Sequence, residues 1–243
     1  MSLQISITLP SLNEQRHITG CLDSLEASIE AAPDRYEFEV IVLDSYSDDA
    51  TARIARAHPV VDCVDFVEPG ILHARHRGFE LAHGDVVVAV DADSVYPPGF
   101  LEALLAPLED DDVALTYGPV GGEKRGNVDA AIRLAMQYGL PLLGLDWVSG
   151  SNRAIRTEAY FDAGGYRLER DGQALLRVMI EEQLLFPRRL DGEVEFVPEA
   201  HSAQSARTLE QLFFLDEKEG GVDWDVIKPY ESYRRYREKL RLR

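Results

Sequence analysis

The 243-residue sequence has two cysteines, four lysines and no long apolar run. Cys21 and Cys63 make neither a CxxC pair nor a disulfide framework, so free thiols in a reducing compartment are expected. No stretch approaches the ~18 apolar residues that cross a bilayer. The opening "MSLQISITLPSLNE" lacks the charged n-region and cleavage site of a signal peptide. These absences point to the cytoplasm, or to the inner face of a membrane approached from that side. Basic charge is scarce too: 25 Lys and Arg stand against 43 Asp and Glu, for a net charge of -18. That balance excludes general nucleic-acid binding, which needs a basic face. It suits a protein kept soluble in high salt, or an ordinary acidic protein.

The scarce basic charge is uneven. The last 16 residues, "KPYESYRRYREKLRLR", hold seven basic and two acidic side chains. Such a tail is either a solvated terminal helix paired with the acidic body or a contact for a membrane surface or a phosphate group.

Apolar residues make up 45 % of the chain, enough for a substantial core. Residues 3–9, 38–44, 60–68 and 85–91 read as strands, being short, apolar and β-branched. Helices are expected between them: from Glu14, with Ile18, Cys21, Leu22, Leu25 and Ile29 on one face; over 48–57; over 70–83; and over 97–108. Pro10 is expected to end the first strand. Four β-α units in succession predict an α/β fold with a mainly parallel sheet flanked by helices. Beyond residue 110 the expected elements are a strand at 112–120, a helix at 128–139, a strand running into a Gly/Ser/Asn loop over 145–156, a helix over 173–190 and a strand at 193–202. One domain is expected, with a nucleotide-binding half (1–110), an acceptor-binding half (111–205) and a helical tail (206–243).

Ligands of such sheets lie beyond the carboxyl ends of the strands. Asn13, Asp44 and Asp91 all fall there. The stretch "VVVAVDADSVYPPGF" runs an apolar strand into Asp91 and Asp93. Two carboxylates at i and i+2 repel each other. A divalent cation shared with a substrate diphosphate relieves that repulsion; the competing reading is a turn that caps the next helix.

Six segments in order then resemble family 2 glycosyltransferases of the GT-A fold, over residues 3–201. They are "LPSLNE" with Pro10, Asn13 and Glu14; "LDSYSDDAT" with Asp44, Ser47, Asp49 and Thr51; "ARHRG" with Arg75; the Asp91-Ala92-Asp93 triplet; "GSNRAIRTEAYFDAGGY"; and "IEEQLLFPRRL" followed by "VEFVPEA". Tyr46 stands where the pattern has glycine, and His76 where it has asparagine. The resemblance implies a Rossmann-like nucleotide-sugar site formed by Pro10, Asn13, Glu14, Asp44, Arg75, Asp91 and Ala92. It implies a divalent metal, Mn2+ or Mg2+, on Asp93, with His201 as a further ligand. Gly150, Ser151 and Asn152 would line the sugar and acceptor pocket. Glu182 would be the general base, with Glu181 as its alternate, because adjacent helical residues do not both face one pocket. The activity implied is inverting transfer of a sugar from a UDP- or GDP-sugar to a hydroxyl or phosphate acceptor, a glycan or a lipid-linked polyprenyl phosphate.

Two rival enzymes are disfavoured at the same place. "LPSLNEQRH" has no glycine, so it is neither the Gly-rich phosphate loop of a nucleotidyltransferase nor the G-x-G-x-x-G turn of a reductase. A sugar-nucleotide-binding relative without turnover is the remaining alternative. Trp147 and the apolar "YGLPLLGLDW" stretch are further candidates for sugar or membrane contact.

Overall fold

A computed structural model describes residues 2–122, 148–167 and 180–204. The expected helix at 128–139, residues 173–179 of that at 173–190, Trp147, the 138–147 stretch and the basic tail lie outside the described residues.

The first half alternates as its periodicity predicts. Strands β1 (Leu3–Ser11), β2 (Tyr36–Asp44), β3 (Cys63–Phe66) and β4 (Val86–Ala89) are separated by helices α1 (Ile18–Ala31), α2 (Thr51–Ala57) and α3 (Ile71–Leu81). After the two-residue β5 (Ser94–Val95) come α4 (Phe100–Leu105), β6 (Val113–Tyr117), β7 (Val120–Gly122), β8 (Arg153–Arg156), α5 (Thr157–Asp162), β9 (Glu193–Phe196) and β10 (Ser202–Gln204). Seven strands form one sheet in the order β3-β2-β1-β4-β8-β6-β9. β8 runs antiparallel to both neighbours, whereas β1 pairs in parallel with β2 and β4, and β6 with β9. The sheet is therefore mainly parallel, and strands from beyond residue 110 extend it without a break.

Burial on both faces explains the strand composition. Val86, Val88 and Val90 pack in the cluster that holds Ile18, Cys21, Leu22 and Leu25 of α1 and the four buried apolar residues of α4. Val87 points the other way, into the cluster of Leu72, Phe79, Tyr160, Tyr166 and Phe186. Alternation thus fixes which helices cover which face.

Two expectations need correction. β1 runs through Pro10 to Ser11 instead of stopping before the proline. Pairing with β4 ends at Thr8, where the Val90 N–H donates to the Thr8 carbonyl. By alternation the nitrogen of Pro10 faces that same vacated side, where a missing N–H costs nothing. The second correction is at 145–156, where a strand, β8, follows the Gly/Ser/Asn loop; residues 145–147, where a strand is expected to lead into it, lie outside the described residues. Because β8 is antiparallel, its beginning lies at the carboxyl end of β4. Arg153 pairs with Ala89 there, which brings residues 148–152 to the crevice.

A smaller sheet, β5-β10-β7, closes one side. It depends on the chain leaving β6 in contact with the turn after β9. A Cβ on Gly118 would lie 1.8 Å from the Ala200 carbonyl oxygen. Gly118→Ala must push two backbone segments apart, and a loss of about 2 kcal/mol or more is expected. Thermal unfolding should show it as a Tm lower by roughly 5 °C.

Candidate functional site

The carboxyl ends of β1 and β2 are knitted by side-chain bonds to main-chain groups. Asn13, at φ 56°, donates its N–H to Ser47 Oγ at 2.9 Å, and its Oδ1 accepts the Asp48 N–H at 2.9 Å. The Glu14 N–H donates to Thr51 Oγ1 at 2.7 Å, and Glu14 Oε2 meets His17 Nδ1 at 2.9 Å. Asp44 is fully buried. Its two oxygens accept from the Ser47 N–H at 2.8 Å, the Ser47 hydroxyl at 2.7 Å and the Ser11 hydroxyl at 3.4 Å. Asp44 therefore shapes its own turn, as Asx residues do. Tyr46 sits at φ 57°, a conformation that costs a side chain energy and glycine little. Its ring stacks on Phe66, with centroids 5.5 Å apart, which offsets that cost. His76 Nδ1 hydrogen-bonds the Tyr160 hydroxyl at 2.7 Å.

Asp91 leaves the end of β4 into a turn pinned by Tyr96. The Asp91 N–H donates to the Tyr96 hydroxyl at 2.9 Å, and the Ser94 N–H donates to the Asp91 carbonyl at 3.2 Å. Ala92 is buried, and Asp93 is half-buried. The thiol of Cys21 senses this turn. Burial pushes its pKa well up, and the charges of Asp91, Asp93 and Glu14 push it further. The loops after β1 and β4 therefore both bring negative charge towards the first turn of α1.

From Asp91 a buried chain of charges crosses to the other half of the sequence. Arg75, only 4 % exposed, donates from Nη2 to Asp91 Oδ1 at 2.8 Å and from Nη1 to Glu182 Oε1. Burial works against its charge, but Glu182 and Asp91 outweigh it and hold the guanidinium firmly protonated. Glu182 Oε1 also accepts from Arg153 Nη2 at 2.5 Å, and Arg153 Nη2 reaches the Tyr166 hydroxyl as well. Burial raises that hydroxyl to about 12, with Arg153 opposing the rise. The chain of contacts reads Asp91–Arg75–Glu182–Arg153–Tyr166.

The two adjacent glutamates part company because residues Glu181–Leu185 form a π-type turn, a distortion common at functional sites. Glu182 turns to Arg75 and Arg153. Glu181 instead takes Arg189 Nη2 at 2.7 Å and the Arg167 N–H at 2.9 Å. Burial would raise the Glu181 carboxyl, but these donors prevail and hold it below the usual range. Of the pair, Glu182 shares the chain of contacts with Asp91.

Gly150 is packed against this pair. A Cβ there would lie 2.8 Å from both Arg75 Nη1 and Glu182 Oε2. Among the described residues no hydrogen bond reaches Oε2, so Glu182 has one oxygen committed to two arginines and one facing the 150–152 loop. Ser151 is buried. Asn152, at φ 55°, donates from Nδ2 to the Pro119 carbonyl at 2.9 Å and to Ser202 Oγ at 2.8 Å, while its buried Oδ1 has no partner among the described residues.

Placement of the remaining candidates is uneven. Pro10 is buried within β1. His201 is exposed, and its Nδ1–H bonds the Glu199 carbonyl at 2.9 Å. The β5–β10 register sets Gln204 beside Ser94, so His201 falls further along and is not brought to Asp93. Among the described residues, ligand atoms within 4.8 Å of one another occur at Asp23, Glu26 and His58, on α1 and just past α2. That cluster is accounted for by the His58–Asp23 pair at 3.1 Å. Sequence reasoning missed Arg153 and Tyr166. The one signal for Arg153 was a charged residue opening the strand "RAIR", where a buried strand calls for an apolar one.

No helix among the described residues is long and apolar enough to cross a membrane. The sequence is 33 % identical over 135 residues to the undecaprenyl-phosphate 4-deoxy-4-formamido-L-arabinose transferase of Pseudomonas fluorescens. That match covers 53 % of this chain but only 38 % of the relative. It is 31 % identical to an uncharacterised glycosyltransferase of Mycobacterium bovis, covering 68 % of this chain and 76 % of that one. The fold matches the crystal structure of glucosyl-3-phosphoglycerate synthase from Mycobacterium tuberculosis, with a TM-score of 0.58 and 28 % identity, covering 86 % of this chain and 75 % of that one. The family model described as glycosyl transferase family 2 matches residues 6–176, and the chain belongs to that family.

Proposed function

We propose that the protein is an inverting glycosyltransferase that takes a sugar from a UDP- or GDP-sugar, with Glu182 as the base. The observation that carries this reading is the state of Glu182. Two arginines fix one oxygen, and the other faces Gly150 with no hydrogen bond among the described residues, on the same buried chain as Asp91.

The donor set suits a hard divalent cation. Carboxylate oxygens are what Mg2+ and Mn2+ take, and the turn after β4 carries two carboxylates at i and i+2, Asp91 and Asp93. Asp91 and Asp93 would hold the ion, which when bound neutralises the diphosphate leaving group. The synthase whose fold this chain matches was also solved with Mg2+ and UDP.

The chain's own residues do the rest. Asn13, Glu14 and Asp44 hold the loops after β1 and β2 in the shape that borders the nucleotide. Asn152 offers its unpartnered Oδ1 to a sugar or acceptor hydroxyl. Glu182 Oε2 takes the proton of the acceptor hydroxyl as the acceptor oxygen bonds to the anomeric carbon. The bond from that carbon to the diphosphate breaks, its electron pair leaves with the nucleoside diphosphate, and the configuration inverts. A phosphate acceptor, which the names of some relatives suggest, arrives ionised and asks nothing of Glu182.

Calorimetry of UDP and GDP binding, with Mn2+ or Mg2+ and then with a chelator, tests the reading in low and high salt. One nucleotide should bind in the presence of metal and bind far more weakly without it. A folded protein that binds neither nucleotide under any condition would overturn the donor assignment.

A further inference from the structure

We infer that Arg153 is a positioning residue that holds the Glu182 carboxylate in the orientation that presents one oxygen to the acceptor. The inference rests on the glycosyl-transfer reading of the site. Arg153 is fully buried at the start of the antiparallel strand β8. It grips Glu182 twice, from Nη2 to Oε1 at 2.5 Å and from Nη1 to the Glu182 main-chain carbonyl at 3.3 Å. The first contact fixes the carboxylate, and the second fixes the turn that carries it. The guanidinium lies over the Tyr166 ring, 5.4 Å from its centroid, and bonds the Tyr166 hydroxyl. An arginine so anchored cannot follow a moving glutamate.

Its partner Arg75 holds the same oxygen from the opposite half of the chain. With one oxygen held by two donors, swinging the carboxylate away would strip two buried charges of a shared acceptor. Oε2 is thereby kept against Gly150. Arg75 touches only the carboxylate, through Nη1, while its Nη2 is bound to Asp91; Arg153 alone also holds the Glu182 main chain. Lysine at position 153 would supply a point charge without the planar fork, and would hold the side chain or the main-chain carbonyl but not both.

The test compares Arg153→Met, Arg153→Lys and the wild type by crystal structure and by release of nucleoside diphosphate from UDP-glucose and GDP-mannose in Mn2+. Water serves as acceptor: its proton goes to Glu182, its oxygen bonds to the anomeric carbon, and the nucleoside diphosphate leaves. In Arg153→Met the Glu182 carboxylate should turn away from Gly150. Its kcat should fall tenfold or more while the donor KM stays within about twofold. Arg153→Lys should recover part of kcat. Should Arg153→Met fail to fold, Tyr166→Phe removes only the hydroxyl that steadies the guanidinium, and kcat should fall two- to fivefold with KM unchanged. A Glu182 carboxylate that stays in place, an unchanged kcat, or a KM that rises in step with the loss of kcat would each overturn the inference. A wild type without metal-dependent nucleotide binding would instead overturn the transferase reading. A wild type that binds but does not hydrolyse leaves the decision to the crystal structures.

Discussion

Glu182→Gln is expected to bind metal and nucleotide as the wild type does and to lose transfer to a hydroxyl acceptor by roughly 10²- to 10⁴-fold, the usual weight of a positioned base. Glutamine keeps the length of the side chain, and its carbonyl oxygen still accepts from Arg75 and Arg153. What it loses is the proton-accepting oxygen against Gly150, since its amide nitrogen is a donor. The change also removes a negative charge from a buried pair, so a lower Tm is expected alongside. Calorimetry and turnover on the same preparation separate the two effects. The acceptor class changes the outcome. A phosphate nucleophile is already ionised, so transfer to a polyprenyl phosphate should survive the substitution. Unchanged transfer to a hydroxyl would remove Glu182 from the base role.

The sequence carried most of the first half of the fold because the information there is local. Ile18, Cys21, Leu22 and Leu25 share one face at helical spacing, and all four are buried where that spacing puts them. The runs before Asp44 and Asp91 are apolar on both faces, which only a covered sheet requires. Direction is different. Nothing in "RAIR" says that β8 runs against β4; that follows from the ladder with Val86–Ala89. The reversal is what places Gly150 and Arg153 at the crevice.

The charged chain was less legible for the same reason. Arg75 and Glu182 are 107 positions apart, and each taken alone reads as a surface residue. The family pattern marks both but leaves position 153 open. Glu181 and Glu182 could not be separated by helical geometry, because the segment holding them is a π-type turn, where that spacing does not apply. Tyr46 shows the reverse case. The pattern's glycine is explained by φ 57° at that position, and the tyrosine is tolerated because Phe66 lies beneath its ring.

Asp93→Asn is expected to lose both metal-dependent nucleotide binding and the stabilisation that bound metal gives. Asp91 already gives Oδ1 to Arg75 at 2.8 Å, so loss of Asp93 leaves a cation only a carboxylate that is shared. Mg2+ and Mn2+ depend on one or two carboxylates besides substrate phosphates, and nucleotide affinity in Mn2+ should fall roughly 100-fold, towards the value in chelator. Adding Mn2+ should raise the Tm of the wild type and leave that of the variant unchanged, because only a state that binds the ion gains from it. An aspartate that only shapes the turn predicts a metal response that the substitution leaves unaltered. The two melting curves therefore separate a metal ligand from a turn residue before any donor or acceptor is known.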